Sequence, residues 1–127
     1  MTSPRENAPR VLLVDDDESI RYLISRILDR AGLEVSEAEN GAHAFEVIES
    51  QAFDVILLDL VMPVMDGLHF LAEARGKRDI KTPILVLTAS INAHAGSIDD
   101  ILEAGASDVA RKPIAAQELV SRIERLL

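Results

Sequence analysis

Three short apolar runs constrain this chain more than any other feature: VLLVD at 11–15, DVILLD at 54–59 and PILVLT at 83–88. None of them alternates apolar with polar residues. An unbroken apolar strand has to be covered on both faces, the situation of a parallel sheet flanked by helices. The intervening stretches fit that picture. From Asp17 the apolar residues recur at three and four (Ile20, Leu23, Ile24, Ile27, Leu28, Ala31), marking one face of a helix that ends at Gly32. LEVSEAE (33–39) reads as a more polar strand near an edge, and 41–51 as a helix with Ala44, Phe45, Val47 and Ile48 inward. Asp66-Gly67 reads as a turn that starts a helix over GLHFLAEAR (67–75). IDDILEAG reads as a helix closed by Gly105, and SDVAR (107–111) as a short strand. The last helix covers about 115–127, with Leu119, Val120, Ile123, Leu126 and Leu127 inward.

The expected fold class is therefore α/β, with five parallel strands, five alternating helices on both faces and right-handed crossovers. A length of 127 residues suits one domain. Residues 1–9 (MTSPRENAP) are expected to form a flexible tail and 10–127 the domain. The tail has no apolar core, so it is no signal peptide, and no run approaches the roughly 18 apolar residues of a membrane span. The 22 acidic and 13 basic residues leave a net charge of −9, which argues against nucleic acid as a partner. The absence of cysteine excludes disulfides, zinc-thiolate centres and thiol nucleophiles, and fits a cytoplasmic protein.

In open parallel sheets, ligands sit beyond the carboxyl ends of the strands. Here the first strand runs into Asp15-Asp16-Asp17, the third into Asp59, the fourth into Thr88, and the fifth into Lys112-Pro113. These ends share one edge. Carboxylates gathered there repel unless a cation joins them, and oxygen-only ligands select a hard ion such as Mg²⁺. A metal held by Asp16 and Asp59, with Asp15 nearby, leaves one oxygen of Asp59 to attack phosphorus. Lys112 would neutralise phosphoryl oxygens and Thr88 would donate a hydrogen bond to them, so the chemistry expected is formation of an aspartyl-phosphate. DDDES is no glycine-rich phosphate loop, and no Ser-His-Asp arrangement is visible. A haloacid-dehalogenase-like phosphatase wants a second aspartate two residues after the nucleophile, where Val61 stands.

VLLVDDDESIR, VILLDLVMPVMDG, PILVLTA and AGASDVARKP, in this order and at these separations, resemble the receiver domain of bacterial two-component response regulators over about residues 10–127. The resemblance implies a doubly wound, flavodoxin-like sheet of order 2-1-3-4-5. It implies Asp59 as phospho-acceptor, Asp15 and Asp16 as the acidic pair with Asp16 the closer Mg²⁺ ligand and Asp15 acting through water, and the backbone carbonyl of Val61 as a further ligand. Thr88 is the implied switch hydroxyl, Lys112 the phosphoryl partner, and Lys112-Pro113 a cis peptide. Ala89, small as in the family, would leave the site open to a phosphodonor. The implied partners are a histidine kinase or histidine phosphotransfer protein and a downstream protein target. The resemblance leaves the oligomeric state open.

Two departures stand out. Val109 occupies the position, three residues before the lysine, where the family often carries Tyr or Phe. The segment from Thr88 to Lys112 is also a couple of residues longer than usual, which bears on the fourth helix. Asp17 is expected only to cap the first helix, Met62 and Met65 to pack, and Tyr22 and the three histidines (His43, His69, His94) to be exposed. Read as a stand-alone switch with no output domain after Leu127, the chain is expected to signal by protein contact; a domain excised from a longer protein is the other reading. The competing readings are a phosphorylation-independent interaction module, a phosphate carrier within a relay, and a conventional Mg²⁺-dependent phosphatase, the last lacking a second acid.

Overall fold

The computed structural model describes residues 7–60, 64–88 and 98–127. The elements are β1 (Arg10–Val14), α1 (Glu18–Arg30), β2 (Glu34–Ala38), α2 (Gly41–Ser50), β3 (Val55–Leu60), α3 (Val64–Ala72), β4 (Ile84–Thr88), α4 (Ile98–Glu103), β5 (Asp108–Arg111) and α5 (Ala116–Leu126). All strand pairs are parallel and the sheet order is β2-β1-β3-β4-β5. The apolar runs occupy the three central strands, and every residue of Val11–Val14, Val55–Leu58 and Ile84–Leu87 is buried. Alternate residues supply two separate cores. Leu12, Val14, Ile56, Leu58, Ile84, Val86 and Val109 meet α2, α3 and α4 through Ala44, Phe45, Phe70, Leu71 and Ile101. Val11, Leu13, Val55, Leu57, Leu85, Leu87 and Ala110 meet α1 and α5 through Ile24, Leu28, Leu119 and Ile123.

Local signals fix the helix ends. Asp17 Oδ1 accepts from the Ser19 and Ile20 amides and caps α1, the role expected of it. Asn40 caps α2 by accepting from the His43 amide at 2.8 Å. Past α1 and α4 the chain turns at Gly32 and Gly105, with φ of 86° and 124°. At each, two backbone bonds close the end in a Schellman pattern: Gly32 N to Asp29 O with Leu33 N to Leu28 O, and Gly105 N to Leu102 O with Ala106 N to Ile101 O.

Several details differ from the sequence expectation. Leu23 is 60% exposed. At 100° per residue it lies roughly 120° around α1 from the midpoint of the buried Ile24 and Leu28, outside the covered arc. Ala31 is also exposed, as the C-cap of α1. Leu127 is 52% exposed, beyond the last turn of α5. The helix expected from residue 67 begins at Val64, so Asp66-Gly67 lies inside it. Beyond Ala72 the same helix continues as a wider π-turn over Glu73–Lys77. His43 is half-buried and its Nδ1 accepts from the Glu39 amide at 3.3 Å, whereas His69 is exposed. His94, Met62 and residues 1–6 of the expected tail lie outside the described residues. The end of that tail is tied down, since Pro9 O accepts from the Glu34 amide at 2.9 Å. No helix among the described residues is long and apolar enough to cross a membrane.

Candidate functional site

The parallel register brings the expected residues to one edge of the sheet. Asp15 follows the last residue of β1, and its amide donates to Ala38 O at 3.1 Å, extending the pairing with β2 by one step. Asp59 stands one residue before the end of β3, opposite Leu87, so Thr88 on β4 is opposite the next residue, Leu60. Lys112 follows β5, and its amide donates to Thr88 O at 3.0 Å. The Lys112-Pro113 peptide is cis, as the resemblance implied.

Within this edge Asp15, Asp59 and Thr88 are the only polar residues buried in the described part of the chain. Lys112, with its side chain 22% exposed, forms an ion pair through Nζ with Asp59 Oδ1. One ammonium thus faces two buried carboxyls. Asp15 Oδ1 accepts from the Asp17 amide at 2.9 Å, while Asp15 Oδ2 and Asp59 Oδ2 have no hydrogen-bond donor among the described residues. Burial raises the Asp15 carboxyl to about 7, the Asp59 carboxyl adds to the rise, and the Asp17 amide and Lys112 oppose it.

Asp16 is exposed at the rim, next to the buried Asp15. Among the described residues no three carboxylate or imidazole side chains gather closely enough to make a metal site by themselves. Two buried carboxyl oxygens without donors among the described residues fit a hard cation, because the alternative is to keep a proton between them or leave the charge unbalanced. Val61 and Ala89, expected respectively as a carbonyl ligand and as the small residue at the entrance, lie outside the described residues. Val109 is buried on β5 opposite Val86, packed into the core beneath α4.

An apolar groove of about 420 Å³ opens at this edge between α1 and α5. Its lining includes Asp59 and Lys112 as well as Ile20, Leu23, Ile114 and Leu119. The exposed Leu23 therefore has a place in the fold: it forms a rim of this groove, with Tyr22, 61% exposed, beside it. Arg21 was not singled out in the sequence. Its side chain is only 14% exposed and reaches back to the Asp15 main chain.

Residues 11–124 match the family described as the response regulator receiver domain. Response regulator MprA of Mycobacterium tuberculosis is 40% identical over 120 residues, covering 93% of this chain and 50% of MprA. Protein PetR of Rhodobacter capsulatus is 40% identical over 119 residues, covering 94% of this chain and 48% of PetR. The chain spans about half the length of the curated relatives it matches. Among solved structures, chemotaxis response regulator CheY4 of Vibrio cholerae superposes with a TM-score of 0.81 at 35% identity, over 95% of this chain and 100% of that one. The receiver domain of sensor histidine kinase PA1611 of Pseudomonas aeruginosa gives 0.78 at 32% identity, over 94% and 97%. That structure carries a magnesium ion coordinated in its active-site cleft.

Proposed function

The chain belongs to the response regulator receiver domain family, and from that premise we propose that it is a phosphorylation switch of two-component signalling with Asp59 as the acceptor. The observation that carries this reading is the buried Asp59 carboxyl, paired with Lys112 and set among acidic neighbours at the mouth of a groove. A phosphohistidine on a kinase or phosphotransfer partner supplies the group. An Asp59 oxygen attacks phosphorus, the P–N bond breaks, and its electron pair stays on the imidazole nitrogen. Hydrolysis reverses the state: water attacks phosphorus, the P–O bond to Asp59 breaks, and the carboxylate and inorganic phosphate are released.

Each residue has a role in this scheme. Lys112 orients Asp59 beforehand and moves its ammonium to a phosphoryl oxygen as charge builds there. The Thr88 hydroxyl donates to another phosphoryl oxygen. Asp16 and Asp59, Asp15 through water, and the Val61 carbonyl would hold Mg²⁺. When bound, the ion supplies positive charge to the phosphoryl oxygens and the acidic residues. The cis Pro113 and Ile114 form part of the groove wall on which the histidine-bearing partner would lie. Leu23 and Tyr22 offer that partner apolar contact area.

The output step differs from an aromatic swing. Valine is branched at Cβ and stiff at χ1, and Val109 is already packed in the core, so residue 109 has no exposed-to-buried movement to make. A signal to the downstream protein therefore starts from the phosphoryl group and the Thr88 hydroxyl that meets it, not from a movement of residue 109.

Incubation with Mg²⁺ and acetyl phosphate tests the reading. Intact mass should show one acid-stable, base-labile phosphoryl adduct that Asp59→Asn abolishes. No adduct on the wild type, or the same adduct on the variant, defeats the proposal. An adduct without NMR shifts between α4 and α5 would make the protein a phosphate carrier instead.

A further inference from the structure

Arg21 occupies the flank of α1 that faces β2, one turn into the helix and seven residues before the buried Leu28. Its Nη1 donates to the Asp15 carbonyl at 2.7 Å, and its Nε donates to Glu37 Oε1 on β2 at 3.1 Å. The carbonyl it holds belongs to the peptide that joins Asp15 to Asp16. Around Asp15, the amide is held by Ala38 O, Oδ1 by the Asp17 amide and the carbonyl by Arg21, and Oδ2 has no donor among the described residues.

We propose that Arg21 is a positioning residue for the cation site: by fixing the Asp15–Asp16 peptide plane it sets where both carboxyls point, and Glu37 holds its guanidinium in place. The inference rests on the Mg²⁺-dependent reading given above. A guanidinium suits the task because its planar fork serves two acceptors in fixed directions, which a lysine ammonium does not. Glu37 offsets its charge locally, so the contribution is one of geometry. Outer-shell groups that orient metal ligands commonly carry a substantial share of the affinity.

The test is Mg²⁺ titration of the whole chain followed by ¹H–¹⁵N NMR, with no phosphodonor present, beside thermal melting in EDTA. Arg21→Met should raise the Mg²⁺ Kd by about tenfold or more. Arg21→Lys keeps the charge without the fork and should recover only part of that loss. Glu37→Gln keeps an acceptor for Nε and should stay close to wild type. A folded Arg21→Met protein with wild-type Mg²⁺ affinity and only a lower Tm would overturn the inference, since the arginine would then be merely structural. Glu37→Gln weakening Mg²⁺ as strongly as Arg21→Met would also overturn it, because charge and not geometry would be at work. Should Arg21→Met not fold, Arg21→Lys decides, and unchanged affinity there is again fatal. Wild type that takes up no Mg²⁺ defeats the functional reading and this inference together. Wild type that binds Mg²⁺ and gains the adduct, beside unaffected Arg21 variants, defeats this one alone.

Discussion

Without metal, this protein should become less stable as pH rises from 5 to 8. The carboxyl of Asp15 ordinarily titrates at 3.8, and in the fold it is pushed up to about 7, first by burial and then by Asp59. A folded value above the unfolded one means the native state holds the proton more tightly. The stabilisation is therefore complete below the unfolded value and disappears as pH passes through about 7. A gap that wide corresponds to roughly 4 kcal/mol. Water at the open edge of the sheet screens part of it, so about 2–4 kcal/mol is expected. Replacing Asp15 by Asn mimics the protonated form at every pH. The amide keeps an acceptor for the Asp17 N–H and adds a donor facing the Asp59 carboxyl, whose Oδ2 has none among the described residues.

Thermal melts in EDTA at pH 5, 6, 7 and 8 check this directly. At pH 8 Asp15→Asn should melt above wild type by about 6–20 °C, taking about 3–5 °C per kcal/mol for a domain of this size. The gap should narrow toward pH 5, where wild type regains its proton. Mg²⁺ at pH 8 should raise the wild-type Tm and raise that of Asp15→Asn less. A wild-type Tm that is flat or rising from pH 5 to 8, or an Asn variant no more stable than wild type at pH 8, would refute the reasoning.

Three further outcomes follow from other contacts. Arg75 donates from Nε to Gly105 O and from Nη1 to Ile80 O and Thr82 O, all within 2.9 Å, so Arg75→Met should cost about 2–4 kcal/mol by urea melts while leaving the phosphoryl adduct intact. Gly105→Ala should cost about 1–3 kcal/mol in the same assay, because φ is 124° there and a Cβ would stand 2.5 Å from Arg75 Cγ. Lys112→Met strands the buried Asp59 carboxyl, so phosphorylation from acetyl phosphate, followed by intact mass, should slow by about 10²-fold or more.

How much of this was legible beforehand depended on what kind of signal each part leaves in the sequence. Continuous apolar runs report double coverage, so the three inner strands, the sheet class and the common edge of Asp15, Asp59, Thr88 and Lys112 could be read from periodicity alone. Leu23 could not be placed, because three-and-four spacing marks an arc wider than the one the sheet covers, and only the packing of α5 decides which margin stays open. The arginines were invisible for a different reason. Arg21 and Arg75 bind backbone carbonyls, at Asp15 and at Ile80, Thr82 and Gly105, and a carbonyl has no residue type that could betray the pairing. An acidic residue opposite a basic one can be matched by spacing, whereas a main-chain acceptor is matched only once the chain has folded. The one trace available was negative: Arg21 lies about 20° around α1 from the buried Leu28, on a flank that an ordinary surface arginine would not occupy. A charge on the covered side of an amphipathic helix is therefore the sequence mark to look for when carboxylates at a strand end need their backbone held.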